Sequence, residues 1–389
     1  MNSKFKFLAL LILVSVVYGC SPKGDGSISE VIVDGNKMHV FSLNDLKSDT
    51  TTISLSSFAD YCVLVQLENV KEAYFSSGTT TITEKYIGIR SSRSSYKLFD
   101  HSGKFLGNIG SVGRGPGEWI ISLYDDIIDE KNELIYLAPF MSDKILVYNT
   151  SGKYIKDIIA PHRLQKPKMF LSDNILTVVH MPFKDDKAAA YQFDVKTGEV
   201  LKEIAPPPAH FIVQNFNGEL FSIKNAPGVF DFLHTSSDTL YHFDMKNNKM
   251  LPAFRAIHSA PKNVWMRYFA LNKNIFLTSV NMFSEEQEIF QHVGIVATDL
   301  NTKASSWIKV VNDFYGNMPV SIMSVNNGYW VINIPQERLM DDIKNRLDQK
   351  DLSEDDRQTL NKTLSILKED ENNVVLFGKL KDEIKTKLW

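Results

Sequence analysis

Carboxylates set close together in an apolar run are the first place to look for chemistry, and Asp125, Asp126 and Asp129 are the densest such set in this chain. Acidic, amide or imidazole groups carried on several inner strands of a closed β-structure can converge on one divalent cation, which then activates water or polarises a substrate. The inner segments read from the sequence are 79–83, 125–129, 168–172, 211–215, 267–271 and 320–324. Only the second is rich in acids, and Gln214 and Asn215 add two amides. That is thin for a ring of ligands. No metal, no other cofactor and no catalytic residue is therefore expected.

Other arrangements are weaker still. The nine histidines are scattered, and neither a His-Glu-x-x-His nor a Gly-x-Ser-x-Gly pattern is present. His234 and His242 are separated by a loop and a strand, which does not suit shared ligation. His180 stands near Asp185 and Asp186, in a stretch that reads as a solvated loop. Gly113-Arg114-Gly115-Pro116-Gly117 lacks the Lys and Ser/Thr of a phosphate-binding loop and opens no amphipathic helix, so it reads as a connector. Arg114 and Glu118 either pair with each other or line a channel mouth. Trp265, Arg267 and Tyr268 place aromatic faces beside a guanidinium. That combination stacks on sugars and peptides, or fills gaps between packed sheets. The candidate ligand face is therefore Arg93, Arg114, Glu118, Trp119, His180, Trp265, Arg267 and Tyr268.

The elements that must position these residues begin after an export signal. Lys4 and Lys6 precede a short apolar core over 7–17, and Val17-Tyr18-Gly19-Cys20 follows. A run this short cannot span hydrocarbon, so residues 1–19 read as a removable signal peptide. A small residue before Cys20 resembles a lipobox, which implies lipid attachment at Cys20 and a polar tether over 20–36. Cys62 then has no partner, and its apolar surroundings mark it as an inert thiol. Loss of Lys4 and Lys6 takes the formal charge from -3 to about -5 (41 basic residues against 46 acidic). That balance carries no footprint of nucleic acid and no polybasic membrane patch.

Between residues 37 and 389 one unit recurs. A β-rich run ends in an aromatic residue and Asp or Asn, a tight turn follows, and a second β-run leaves it. The anchors Asp100, Asn149, Asp194, Asp244 and Asp299 are 49, 45, 50 and 55 residues apart, and Val374–Phe377 begins a partial sixth copy. Another strand pair precedes each unit. Four strands per 45–55 residues is the size of a propeller blade. The expected fold is all-β: a six-bladed β-propeller, closed by the segment 60–67 supplying the missing outer strand of the last blade.

The turn over 113–118 resembles the inter-blade signature of NHL-type propellers. The whole layout is similar to the six-bladed propeller lipoproteins of Bacteroidetes: lipobox, Gln66-Leu67-Glu68 before blade 1, the Gly-Arg-Gly-Pro-Gly-Glu turn, and an acidic, Asn-containing stretch before the last strand. The resemblance implies the fold and an outer-membrane or other envelope compartment, with no particular activity.

With strands lettered a to d from the axis outward, the a–b and c–d turns read as tight. The b–c loops read as long: 91–95, 138–143, 182–187, 226–237, 282–291 and 335–372. Alternating strands gather the b–c loops on one face, the place where a rigid scaffold carries binding loops. Residues 336–371 form a helical hairpin inserted in the last blade, with Leu339, Ile343 and Leu347 on one stripe and Leu360, Leu364 and Leu367 on another. It either shapes a ligand site or covers apolar blade surface, and its removal is expected to leave the blades folded. Two functions follow. The favoured one is a monomeric, lipid-anchored envelope module that binds a glycan, peptide or protein. The alternative is a channel-centred enzyme, such as a metal-dependent lactonase or a lyase.

Overall fold

The computed structural model describes residues 28–382 and Ile384, except Asn215 and 225–228. The segment expected to be a signal peptide, and Cys20, lie outside the described residues.

Six sheets radiate from a central axis. Blade 1 is Thr79–Ile82, Tyr86–Arg90, Tyr96–Asp100 and Phe105–Ile109. Blade 2 is Leu123–Asp129, Leu134–Pro139, Ser142–Asn149 and Tyr154–Leu164. Blade 3 is Lys168–Ser172, Ile175–Val179, Ala190–Asp194 and Val200–Ile204. Blade 4 is Leu220–Ile223, Asp231–His234, Thr239–Asp244 and Lys249–Ile257. Blade 5 is Val264–Ala270, Ile275–Ser284, Ile289–Asp299 and Ala304–Asn312. Blade 6 takes Val325–Asn326, Tyr329–Ile334 and Val374–Lys379 from the end of the chain and Val63–Gln66 from its start. Val375 pairs with Val65 and Leu376 with Leu64 in this closure, as the strand count required.

The recurring Asp or Asn has a physical cause. It ends strand c, and its side chain accepts backbone N–H groups of the c–d turn. Asp100 takes those of Ser102 and Lys104, Asn149 that of Lys153, Asp194 those of Lys196 and Thr197, and Asp299 that of Asn301. Each such side chain fixes a hairpin that would otherwise leave donors unpaired. The Gly103 turn also receives the closing strand. Glu68 donates its N–H to the Gly103 carbonyl at 2.8 Å, while its carboxylate accepts the Phe105 N–H at 2.8 Å. A Cβ at Gly103, where φ is +90°, would stand 2.2 Å from the Gln66 carbonyl oxygen. Buried Asn372 completes the seam by donating to the carbonyls of Glu68 and Ala73.

The core is divided among the blade interfaces. One cluster joins blades 1 and 2 around Tyr96, Trp119 and Ile135, and others join 2 to 3, 3 to 4, 4 to 5 and 5 to 6. A sixth unites Val65, Tyr329 and Val375 of blade 6 with Ile87 and Phe99 of blade 1. Blade 1 thus touches blade 6, and the ring is closed.

Several local readings are corrected. The stretch expected as tether over 20–36 meets a strand, Ile28–Val33, which pairs with Asn36–Ser42. That hairpin adds to the outer edge of blade 4, parallel to Lys249–Ile257, and Thr50–Ser54 adds to blade 5 in the same way. These additions cover edges that would otherwise expose unpaired backbone groups. The innermost strand of blade 4 is Leu220–Ile223 and not 211–215, where Phe211 closes a short 3-10 turn and Asn215 lies outside the described residues. The innermost strand of blade 6 is Val325–Asn326 rather than 320–324. Asp231–His234 is a strand, so the long loop of blade 4 is its a–b connection, on the opposite face from the one expected. The b–c connections of blades 2, 4 and 5 are only 140–141, 235–238 and 285–288, because the flanking strands run further than their turn signals suggested.

The insert is a hairpin of two helices, α1 (Gln336–Leu347) and α2 (Glu354–Ile366), the second capped by Ser353 accepting the Asp356 N–H. Leu339, Ile343, Leu360 and Leu367 join the cluster between blades 5 and 6, and buried Arg346 donates to the Gly316 carbonyl at 2.8 Å. The insert thus buries its leucines in the hydrophobic core between blades 5 and 6. Among the described residues no helix is long and apolar enough to cross a membrane.

Candidate functional site

The innermost strands border a cavity at each end of the axis. On the a–b face is a cavity of about 1340 Å³, bordered by exposed turn residues of both signs such as Lys131, Asp173 and Lys273. On the b–c face is a cavity of about 750 Å³. Lys224 borders both. The smaller cavity holds the more unusual electrostatics, because buried charge gathers at its floor.

Three ion pairs lie there. Arg90 Nε donates to Asp126 Oδ1 at 2.9 Å, and Asp126 Oδ2 accepts the Tyr96 hydroxyl at 2.9 Å. Lys224 stands 3.5 Å from Asp125 Oδ2 and donates to the Asp126 carbonyl at 2.9 Å. Asp125 also accepts the Met169 N–H at 2.6 Å. Burial works against its charge, yet Lys224, Lys168 and Arg90 outweigh burial and hold its carboxyl below the ordinary range. Lys166 pairs with Glu219 at 3.3 Å, and the Tyr124 hydroxyl donates to the same carboxylate.

Arg90, Lys168, Lys224 and Arg267 line the cavity with Asp125 and Glu219, while Asp126 and Lys166 stand behind its wall; pairing leaves two of the lining cations over, Lys168 and Arg267. Lys168 Nζ donates to the Tyr124 carbonyl at 3.1 Å and lies 4.9 Å from the centre of the Tyr124 ring. Burial is the main cause that pushes its ammonium down to about 8; Arg90 and Lys224 add to the shift and Asp125 opposes it. The Arg267 guanidinium sits 4.0 Å over the Phe221 ring, and burial alone lowers its pKa, with no charged group close enough to offset it. A stacked guanidinium keeps its N–H edges free in the plane of the group, the geometry that grips a carboxylate through two hydrogen bonds.

The acidic strand does not form a metal-like centre. Asp126 turns to Arg90, Asp125 to Lys224, and Asp129 to the backbone N–H and side-chain amide of Asn132. Their lone pairs are engaged at three separate places. Cys62 is partly buried, and burial pushes its thiol up to about 12, which keeps it protonated.

Of the eight residues expected on the ligand face, the structure brings one, Arg267, to this cavity. Trp119 and Tyr268 are buried between blades, and the Tyr268 hydroxyl is taken by Asp238. Glu118 does not pair with the Arg114 side chain; its carboxylate closes the glycine turn by accepting the Gly115 N–H at 2.7 Å and the Ser111 hydroxyl at 2.9 Å. Arg93, Arg114 and Trp265 are exposed but lie outside the cavity wall. The helical insert contributes no residue to that wall either.

His180, expected in a solvated loop, is buried and stacked on Tyr191. Burial pushes both His180 and His234 down to about 4. Each stays neutral in the folded chain while the unfolded chain takes up a proton below about 6.5. Stability contributed this way is present above that value and is lost as pH falls towards 4, by up to ~3 kcal/mol per residue. Urea unfolding between pH 7 and 4 is expected to show this decline, with His180→Phe removing roughly half of it; an unchanged slope contradicts the assignment.

Lys168, Arg90 and Lys224 were missed from the sequence; the signal for Lys168 was weak but present, a cation opening the short, mostly apolar innermost strand Lys168–Ser172.

Fold and site together define a class: a six-bladed β-propeller with a cation-rich throat. The chain belongs to the family described as a domain of unknown function, DUF4934, whose model matches residues 38–379. It is similar to a protein of Bacteroides fragilis described as exported, with 16% identity and a TM-score of 0.58 over 86% of this chain and 100% of that one. It also matches a member of the duf4221 family from Bacteroides vulgatus, with 12% identity and a TM-score of 0.44 over 83% of this chain and 97% of the other. The first of these likenesses shows a shared fold. No curated protein matches the chain.

Proposed function

We propose that this chain is a non-enzymatic binding module of the cell envelope, held by a lipid on Cys20 and presenting the b–c mouth of an NHL-like propeller to its ligand. The observation that carries the reading is the pair of cations left without a carboxylate at the floor of a ligand-sized cavity. Charge left unpaired in a half-buried site is costly to keep, and proteins retain it mainly where something binds. The engaged carboxylates of blade 2 favour binding over metal-dependent hydrolysis. Export is supported by the sequence signal and by the description of the B. fragilis relative.

Arrays of glycans and peptides test the reading. Binders found with the purified chain are expected to be lost when the mouth is plugged by Thr79→Trp and kept when Arg114, outside the cavity, becomes Ala. Binders that ignore the plug place the site elsewhere. Palmitate incorporation abolished by Cys20→Ser tests the anchor.

A further inference from the structure

The b–c cavity carries two features that together specify a ligand class. The first is its excess of positive charge, concentrated in Lys168 and Arg267. The second is a wall of small hydroxyl and amide groups, among them Thr79, Thr81, Ser222, Ser324 and Asn326. Thr79 is exposed at the mouth, where its hydroxyl can exchange water for a ligand hydroxyl. Such a wall matches a ligand that is itself covered in hydroxyls.

Arg267 and Lys168 occupy different parts of the throat. Lys168 lies within electrostatic range of Arg90, Lys224, Asp125 and Glu219, whereas no charged group perturbs Arg267. Arg267 therefore offers one isolated anion site beside the Phe221 ring, and Lys168 offers a second point of positive potential among the ion pairs. The cavity has room for more than one sugar ring.

We propose that the b–c mouth recognises an acidic saccharide, with the carboxylate of a uronic-acid residue on Arg267, the sugar hydroxyls on the Ser and Thr wall, and the rest of the ligand drawn towards Lys168. This rests on the binding-module reading above and names its ligand class. A carboxylate held through both guanidinium edges is short-range and directional, whereas its neutral ester keeps acceptors but loses the charge. The acid is therefore favoured over the ester by tenfold or more.

Calorimetric titration of the purified chain with digalacturonate, its methyl ester and trialanine tests this. Digalacturonate is expected to bind at least tenfold more tightly than its methyl ester. Arg267→Gln is expected to bring the acid down to the ester's affinity and leave the ester unchanged, with circular dichroism and melting showing an intact fold. Lys168→Gln is expected to weaken the acid more than the ester. Equal binding of acid and ester overturns the anion site while leaving the binding module standing. Binding of trialanine alone overturns the saccharide assignment in favour of a peptide carboxylate. No binding by any of the three overturns the acidic-saccharide assignment, while the binding-module reading stands or falls with the arrays.

Discussion

Replacing Arg90 by Met is expected to lower the free energy of unfolding by ~3–5 kcal/mol, the usual result of stranding one partner of a buried ion pair. Asp126 is 1% exposed and has two side-chain partners, the Arg90 guanidinium and the Tyr96 hydroxyl. Removal of the guanidinium leaves a carboxylate that is 1% exposed with the Tyr96 hydroxyl as its remaining side-chain partner. The same guanidinium also donates to the Leu123 carbonyl at 3.2 Å, so a blade 1 to blade 2 contact goes with it. Urea unfolding is the measurement: the midpoint drops with an unchanged slope. Asp126→Asn in the Arg90→Met background is expected to recover a large part of the loss, because the stranded charge is then gone. A loss below about 1 kcal/mol for Arg90→Met would show that the pair is more hydrated than the geometry describes.

Lys168→Met, a deletion of the same charge in the same throat, is expected to act in the opposite direction. Lys168 has no carboxylate of its own, so the folded state bears the cost of burying its ammonium. The pKa sits at about 8 in the folded chain, below the roughly 10.4 of a solvated lysine. Between those values the unfolded chain binds more protons than the folded one, so the wild type gains stability as pH rises through that window. Below pH 8 the cost is present in full, about 1–3 kcal/mol after allowance for partial solvation. Met keeps the length and apolar contacts of the side chain. The variant should therefore be more stable than the wild type at pH 7, with the advantage fading towards pH 10.5. A variant less stable at pH 7, or an advantage unchanged at pH 10.5, contradicts this. On the proposed function the gain would come at the expense of ligand affinity, a common trade.

The ring was legible because its signals are local. Each c–d hairpin places Asp or Asn before Gly, Lys or Asn, and the reason lies within five residues, as at Asp194. Closure was legible by counting, since the last blade ended one strand short. The throat was not legible, because its pairs cross blades: Arg90 meets Asp126 across 36 residues, and Lys224 meets the Asp126 carbonyl across 98. Nothing in the neighbourhood of Lys168 announces that no acid awaits it. The aromatics misled for a related reason. Trp119 beside a Gly-Arg turn and Tyr268 beside Arg267 have the composition of a stacking platform, yet both fill space between blades. Phe211 misled blade 4, since a fully buried side chain can come from a 3-10 turn as well as from a strand.

Lys168 and Arg267 remain as unneutralised cations facing one cavity. Bromide soaked into crystals of the protein tests it by anomalous scattering, because a halide settles where positive charge lacks a partner. Bromide is expected in contact with the Arg267 guanidinium and a second ion near Lys168, both absent from the matching Met variants. Bromide confined to exposed lysines, with the throat empty, would contradict it.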